Sequence, residues 1–105
     1  MTSFEEMNMR DTLDHHLGNL VQGNDGLMRS ALRGKSEYDA DKLREQTEDH
    51  VKGIESVYGS LNLEDKSKLE KFCEVALNIP SKPDQSYIDN LYKEYDKVKS
   101  IPEIL

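Results

Sequence analysis

The sequence predicts an all-α fold, a small antiparallel helical bundle of four main helices plus one short helix, and three observations point there. Apolar residues recur at three- and four-residue spacing in one segment after another, which is the period of a helix face. No stretch alternates apolar and polar residues with the period of two that a half-buried strand shows. Ser, Asn or Asp precede the periodic segments and Gly or Pro follow them, as helix boundaries do. At 105 residues the chain reads as a single helical domain over residues 1–105, with an aliphatic core, since it has no Trp and only two Phe.

The first helix is expected from the S-x-x-E capping box Ser3-Phe4-Glu5-Glu6. Its stripe is Met9, Leu13, Leu17, Leu20 and Val21, and Gly23-Asn24-Asp25-Gly26 is expected to end it. A short second helix, Leu27 to Arg33, follows with Asp25 as cap and Gly34 as the left-handed residue behind it. Residues 35–41 read as a connection or a first turn. The longest stripe comes next, Leu43, Thr47, His50, Val51, Ile54, Val57 and Tyr58, closed by Gly59. Its roughly twenty residues would span about 30 Å, so this helix is expected at the centre of the bundle. Asn62 caps a further helix through Leu69, Phe72, Cys73 and Ala76, with Asn78 at its end, before Ile79-Pro80 stops it. The last helix, from Asp84 or Ser86 to Lys99, sets Tyr87, Ile88, Leu91, Tyr92, Tyr95 and Val98 on one face. Pro102 bars its continuation and leaves a short non-helical tail, residues 100–105.

Charge and cysteine content narrow the function. Twenty-one acids against fourteen bases give −7, spread as −2, −3 and −2 over residues 1–34, 35–62 and 63–105. Such a chain repels the phosphate backbone, so direct nucleic-acid binding is not expected. The even spread also lacks the dense acidic stripe of a nucleic-acid mimic. The lone Cys73 forms no internal disulfide, and neither a leader nor a spanning segment is visible, so a cytoplasmic location and no membrane contact are the expectation.

Catalytic sets are missing. Cys73 falls on an apolar stripe, where a thiol acts as a small hydrophobe. Neither a phosphate-cradling glycine loop nor a complete calcium loop is present: Asp39-Ala40-Asp41 with Glu45 lacks a third acid and the glycine. The chain is therefore expected to be no enzyme and to need no cofactor. Metal-ligating types do occur at helical spacing, with Asp11 and His15 four apart and Glu45 and Asp49 beside His50, but the Glu-x-x-His of ferritin-like di-metal bundles does not. A site of His50 with His16 and Asp11, or with Glu48 or Met9, is the metal- or haem-binding alternative. Helical-wheel geometry puts His15 in solvent, His16 at the edge of its apolar face and His50 within its stripe.

Arg33-Gly34-Lys35-Ser36-Glu37-Tyr38-Asp39-Ala40, between a short and a long helix, resembles the Gly-x-x-x-Tyr-Asp-Ala connection of the cytochrome c-prime family of four-helix haem proteins. The resemblance covers these eight residues and is one of turn chemistry. That family attaches haem through Cys-x-x-Cys-His in its last helix; here no histidine follows residue 50, which excludes covalent haem and leaves Met7 or Met9 with His50 as an axial pair.

The tyrosines supply the main functional expectation. Five of seven aromatics are Tyr, and Tyr87, Tyr92 and Tyr95 share one helix face, amphipathic in the way of protein interfaces. They are the expected partner contacts, with Asp39, Asp41 and Glu45 steering a basic protein. The function expected is thus a protein-binding module, a small acidic regulator, inhibitor or assembly factor. A self-assembling structural protein, at its simplest a homodimer, needs only a second copy of the chain for the same surface.

Overall fold

A computed structural model describes residues 8–105 as four α-helices: α1 (Met9–Leu32), α2 (Ala40–Glu55), α3 (Leu63–Leu77) and α4 (Gln85–Val98). They form an all-α, up-down-up-down bundle, with no strand among the described residues. Short 3-10 turns follow α2 at Tyr58–Ser60 and α4 at Ile101–Ile104. The capping box at Ser3 to Glu6 lies outside the described residues.

Each helix starts the same way. Asn8, Asp39, Asn62 and Asp84 stand in extended backbone, and their side-chain oxygens accept from the amides of Asp11, Lys42, Asp65 and Ser86. An Asx residue does this because its short side chain reaches the first-turn amides that have no partner inside the helix.

The largest departure from expectation is that the first and second predicted helices are one. Residues Gly23 to Gly26 do not break α1, which runs on for 24 residues to Leu32. Two glycines cost a helix interior about 1 kcal/mol each relative to Ala, so tertiary bonds must hold this turn. Asn24 supplies them. Its buried amide nitrogen donates to Thr47 Oγ1 on α2 and to Tyr87 OH on α4, each at 2.9 Å. Thr47 donates in turn to the Leu43 carbonyl and Tyr87 to the Ala76 carbonyl on α3, both at 2.7 Å. One buried chain of hydrogen bonds therefore ties all four helices together. Gly34 does adopt the left-handed conformation, φ 71°, behind the helix end, and its amide bonds back to the Ala31 carbonyl.

As the longest helix, α1 takes the central place expected of the Leu43 stripe, packing against α2, α4 and the C-terminal 3-10 turn. The Leu43 helix is shorter than expected because α2 ends at Glu55 and the chain turns before Gly59. The core is continuous: Leu13, Leu17, Leu20 and Met28 of α1 meet Leu43 and Ile54 of α2, Leu69 and Phe72 of α3, and Ile88 and Leu91 of α4. Asn78 does not extend the α3 stripe but caps its C-terminus, exposed. The tail is not irregular either. Pro102 enters the first turn of a 3-10 helix, where its missing amide is harmless, and Ile101 and Pro102 are buried.

Candidate functional site

Of the three tyrosines expected at an interface, Tyr87 is a correction: it is 4% exposed, with its hydroxyl both donating and accepting inside the core network. Burial pushes that phenol up to about 12, against a smaller opposing effect of the Asn24 bond. The same helix face that looks aromatic in sequence is the face that closes the bundle. Tyr92 and Tyr95 are half-buried: Tyr92 OH donates to Asp25 Oδ2 at 2.6 Å, and the Tyr95 ring lies 6.3 Å from Phe72 and 6.5 Å from Tyr92. Asp25 also pairs with Arg29, so its carboxylate holds two partners on α1 and α4.

The three acids do share one region. Asp39 caps α2, Asp41 is fully exposed and pairs with Arg44 at 3.3 Å, and Glu45 is exposed one turn further on. Beside them lies a groove of about 290 Å³ between the end of α1 and the start of α2. Leu27 forms one wall at 46% exposure, Leu43 the buried floor and Tyr38 the far wall, with Glu37 and Asp39 at the rim and Lys42 and Gln46 alongside. The wall is firm, because Tyr38 OH donates to the Pro80 carbonyl across the bundle. A larger groove of about 480 Å³ runs between α3 and α4, but Lys71, Asn78, Asn90, Lys93 and Glu94 give it polar walls. Leu27 is the exposed apolar side chain of the smaller groove, while Leu63 at 81% and Ile104 at 65% are exposed outside it. No family model, curated protein or solved structure matches this chain.

The histidines form a second constellation. His16 of α1 and His50 of α2 face each other with Nδ1 atoms 3.1 Å apart. Burial, then the neighbouring rings of His50 and His15, hold His16 below the usual histidine range. His50 is lowered by burial and by His15, with Asp49 opposing. His15 is exposed and takes a bond from Asn19, as the wheel predicts. Neither Asp11 nor Glu48 joins the pair: both are exposed, and among the described residues no three His, Cys, Asp or Glu side chains converge on a common point. Met9 accepts from the Ser60 hydroxyl, and Met7 lies outside the described residues.

Cys73 is buried, with Tyr58 OH 3.8 Å from its sulfur, and burial raises the thiol to about 11. A thiol so protonated is a poor nucleophile. Among the described residues, no helix is long and apolar enough to cross a membrane.

Sequence reasoning missed Leu27 and Tyr38. Leu27 is expected to open a separate short helix, whereas it lies within α1 at 46% exposure. Tyr38 lies in a stretch read as polar connection. The signal available was that Tyr38 is the one aromatic in the Gly34-to-Asp39 loop, and a loop aromatic tends to pack back on the core.

Proposed function

We propose that the protein is a non-enzymatic protein-binding module of the cytoplasm, a small acidic regulator, inhibitor or assembly factor, and that its binding site is the Leu27 groove. The carrying observation is the combination found there: a large aliphatic side chain left nearly half exposed beside Tyr38, over an apolar floor, with Glu37 and Asp39 at the rim. An apolar recess with a charged edge is how a protein seats one anchoring side chain and selects its flanks. The partner that fits is a basic segment carrying an exposed Leu, Met or Phe flanked by Lys or Arg. The overall charge of −7, with Asp41 and Glu45 exposed next to the groove, favours such a partner and disfavours nucleic acid.

The test is a titration of isotope-labelled protein with short peptides of the form basic, apolar, basic, followed by amide NMR shifts. Shifts are expected at Leu27, Tyr38, Asp39 and Leu43, and Leu27→Glu is expected to abolish them. Peptides in which the bases are replaced by Glu should not bind. Shifts centred on the α3 and α4 groove, or none at all, would overturn the assignment.

A further inference from the structure

All three histidines of the chain gather along the seam between α1 and α2. The His15 and His16 rings lie edge to face with centroids 5.0 Å apart, and the His50 ring follows 5.4 Å from His16 at 60°. His16 and His50 aim their Nδ1 atoms at each other across 3.1 Å, so each ring is the other's hydrogen-bond partner. Such a bond needs a proton on one Nδ1 and a lone pair on the other. Gly53, one turn beyond His50, completes the contact: a Cβ there would overlap Nε2, Cδ2 and Cε1 of His16, so that ring rests on the bare backbone of α2. A glycine inside α2 costs helix stability, and the room it leaves is taken by this ring.

We propose that His16 and His50 form an acid-operated latch: the pair holds α1 to α2 while it shares one Nδ1 proton, and releases them when both Nδ1 atoms are protonated. Counting protons gives the mechanism. A first added proton goes to Nε2 of the donating ring, which keeps the Nδ1 bond and strengthens it through charge. A second has only the accepting Nδ1 to go to, and then two N–H groups of two cations face each other. Burial is the first cause that holds both rings below the usual histidine range; the neighbouring rings add to it, and exposed Asp49 on α2 opposes it at His50. Among the described residues, no charged group of α3, α4 or the 3-10 turns acts on either ring. The folded pair thus resists protons that the unfolded chain accepts around pH 6.5, so stability is full above that pH and falls as pH drops below it. The latch is separate from the Leu27 groove, since 11 residues of α1 put about 16 Å between His16 and Leu27.

Imidazole NMR of the isotope-labelled full chain, titrated from pH 8 to about pH 4.5, tests this. His15 is expected to titrate as a free histidine, whereas the pair should take up its protons in two steps, the second at least about one pH unit below His15. The folding equilibrium constant from urea denaturation should then fall at least about fivefold between pH 7 and pH 5. Amide-exchange protection at Leu17 and Val51, beside the rings, should drop more over that range than protection at Leu69 and Leu91. His16→Gln and His50→Gln should each flatten the fall in stability, while His15→Gln largely keeps it. Gly53→Ala displaces the His16 ring and should bring His50 to ordinary titration, with helix content measured by circular dichroism retained. The proposal is overturned if wild-type His16 and His50 titrate together with His15, if the fall survives loss of either ring, if His15→Gln removes it as fully, if Gly53→Ala leaves the titration unchanged, or if protection drops equally in all four helices.

Discussion

Asn24 on α1 donates to the Tyr87 hydroxyl on α4 at 2.9 Å, and Tyr87 uses its own proton on the Ala76 carbonyl of α3. This bond explains why a helix crosses a Gly-Asn-Asp-Gly sequence and why an aromatic face points inward. Removing one partner leaves others buried and unpaired, which costs more than the bond itself contributes. Tyr87→Phe is expected to lower stability by about 1–3 kcal/mol, measured by urea denaturation. In a double-mutant cycle with Asn24→Ala, the two losses should sum to more than the double variant shows.

Glycines separate by sign. Gly23 and Gly26 are helical, with open space where a Cβ would stand, so Gly23→Ala and Gly26→Ala should each raise stability by about 0.5–1 kcal/mol. Gly34 holds φ 71°, and Gly34→Ala should lower stability by about 1–2 kcal/mol. Thermal melts of the three variants check both directions.

Cys73 sets an alkaline limit. Its thiol is raised from 9.0 to about 11, so between those values the unfolded chain loses a proton that the folded chain keeps. Stability is therefore full below pH 9 and falls as pH rises toward 11, by about 2–3 kcal/mol from this group. Cys73→Ser should flatten that slope in denaturation curves taken across the range, and alkylation of the native thiol at pH 8 should be slow.

Asp39 has two roles that substitutions can divide. Asp39→Ala removes the α2 cap and should cost about 0.5–2 kcal/mol of stability. Asp41→Asn and Glu45→Gln touch only exposed side chains and should leave stability within about 0.5 kcal/mol. The same pair should slow association with a basic partner, an effect that added salt masks. Stopped-flow association at two salt concentrations reads this directly.

Local signals in the sequence fix several helix ends: the Asx caps at Asn62 and Asp84, the stop at Ile79-Pro80 and the left-handed Gly34 stand where predicted. Where reading failed, the deciding contact was distant in sequence. Asn24 looks like a breaker until Thr47 and Tyr87, 23 and 63 residues away, take its amide. Tyr87 has the pattern of an interface residue, and only the packing of α3 against α4 shows that face to be internal. His16 and His50 were each placed correctly on their helices, at an apolar edge and within a stripe. Their contact, and the use of Gly53 beneath it, depends on the register between α1 and α2, which no single-helix periodicity contains.

Binding at the Leu27 groove is tested most directly by selecting a displayed random-peptide library on the wild-type protein, with counter-selection on Leu27→Glu. Enriched peptides are expected to share an apolar residue flanked by Lys or Arg and to shift the amides of Leu27, Tyr38 and Leu43. Peptides without that pattern, or ones that bind Leu27→Glu equally well, would contradict it.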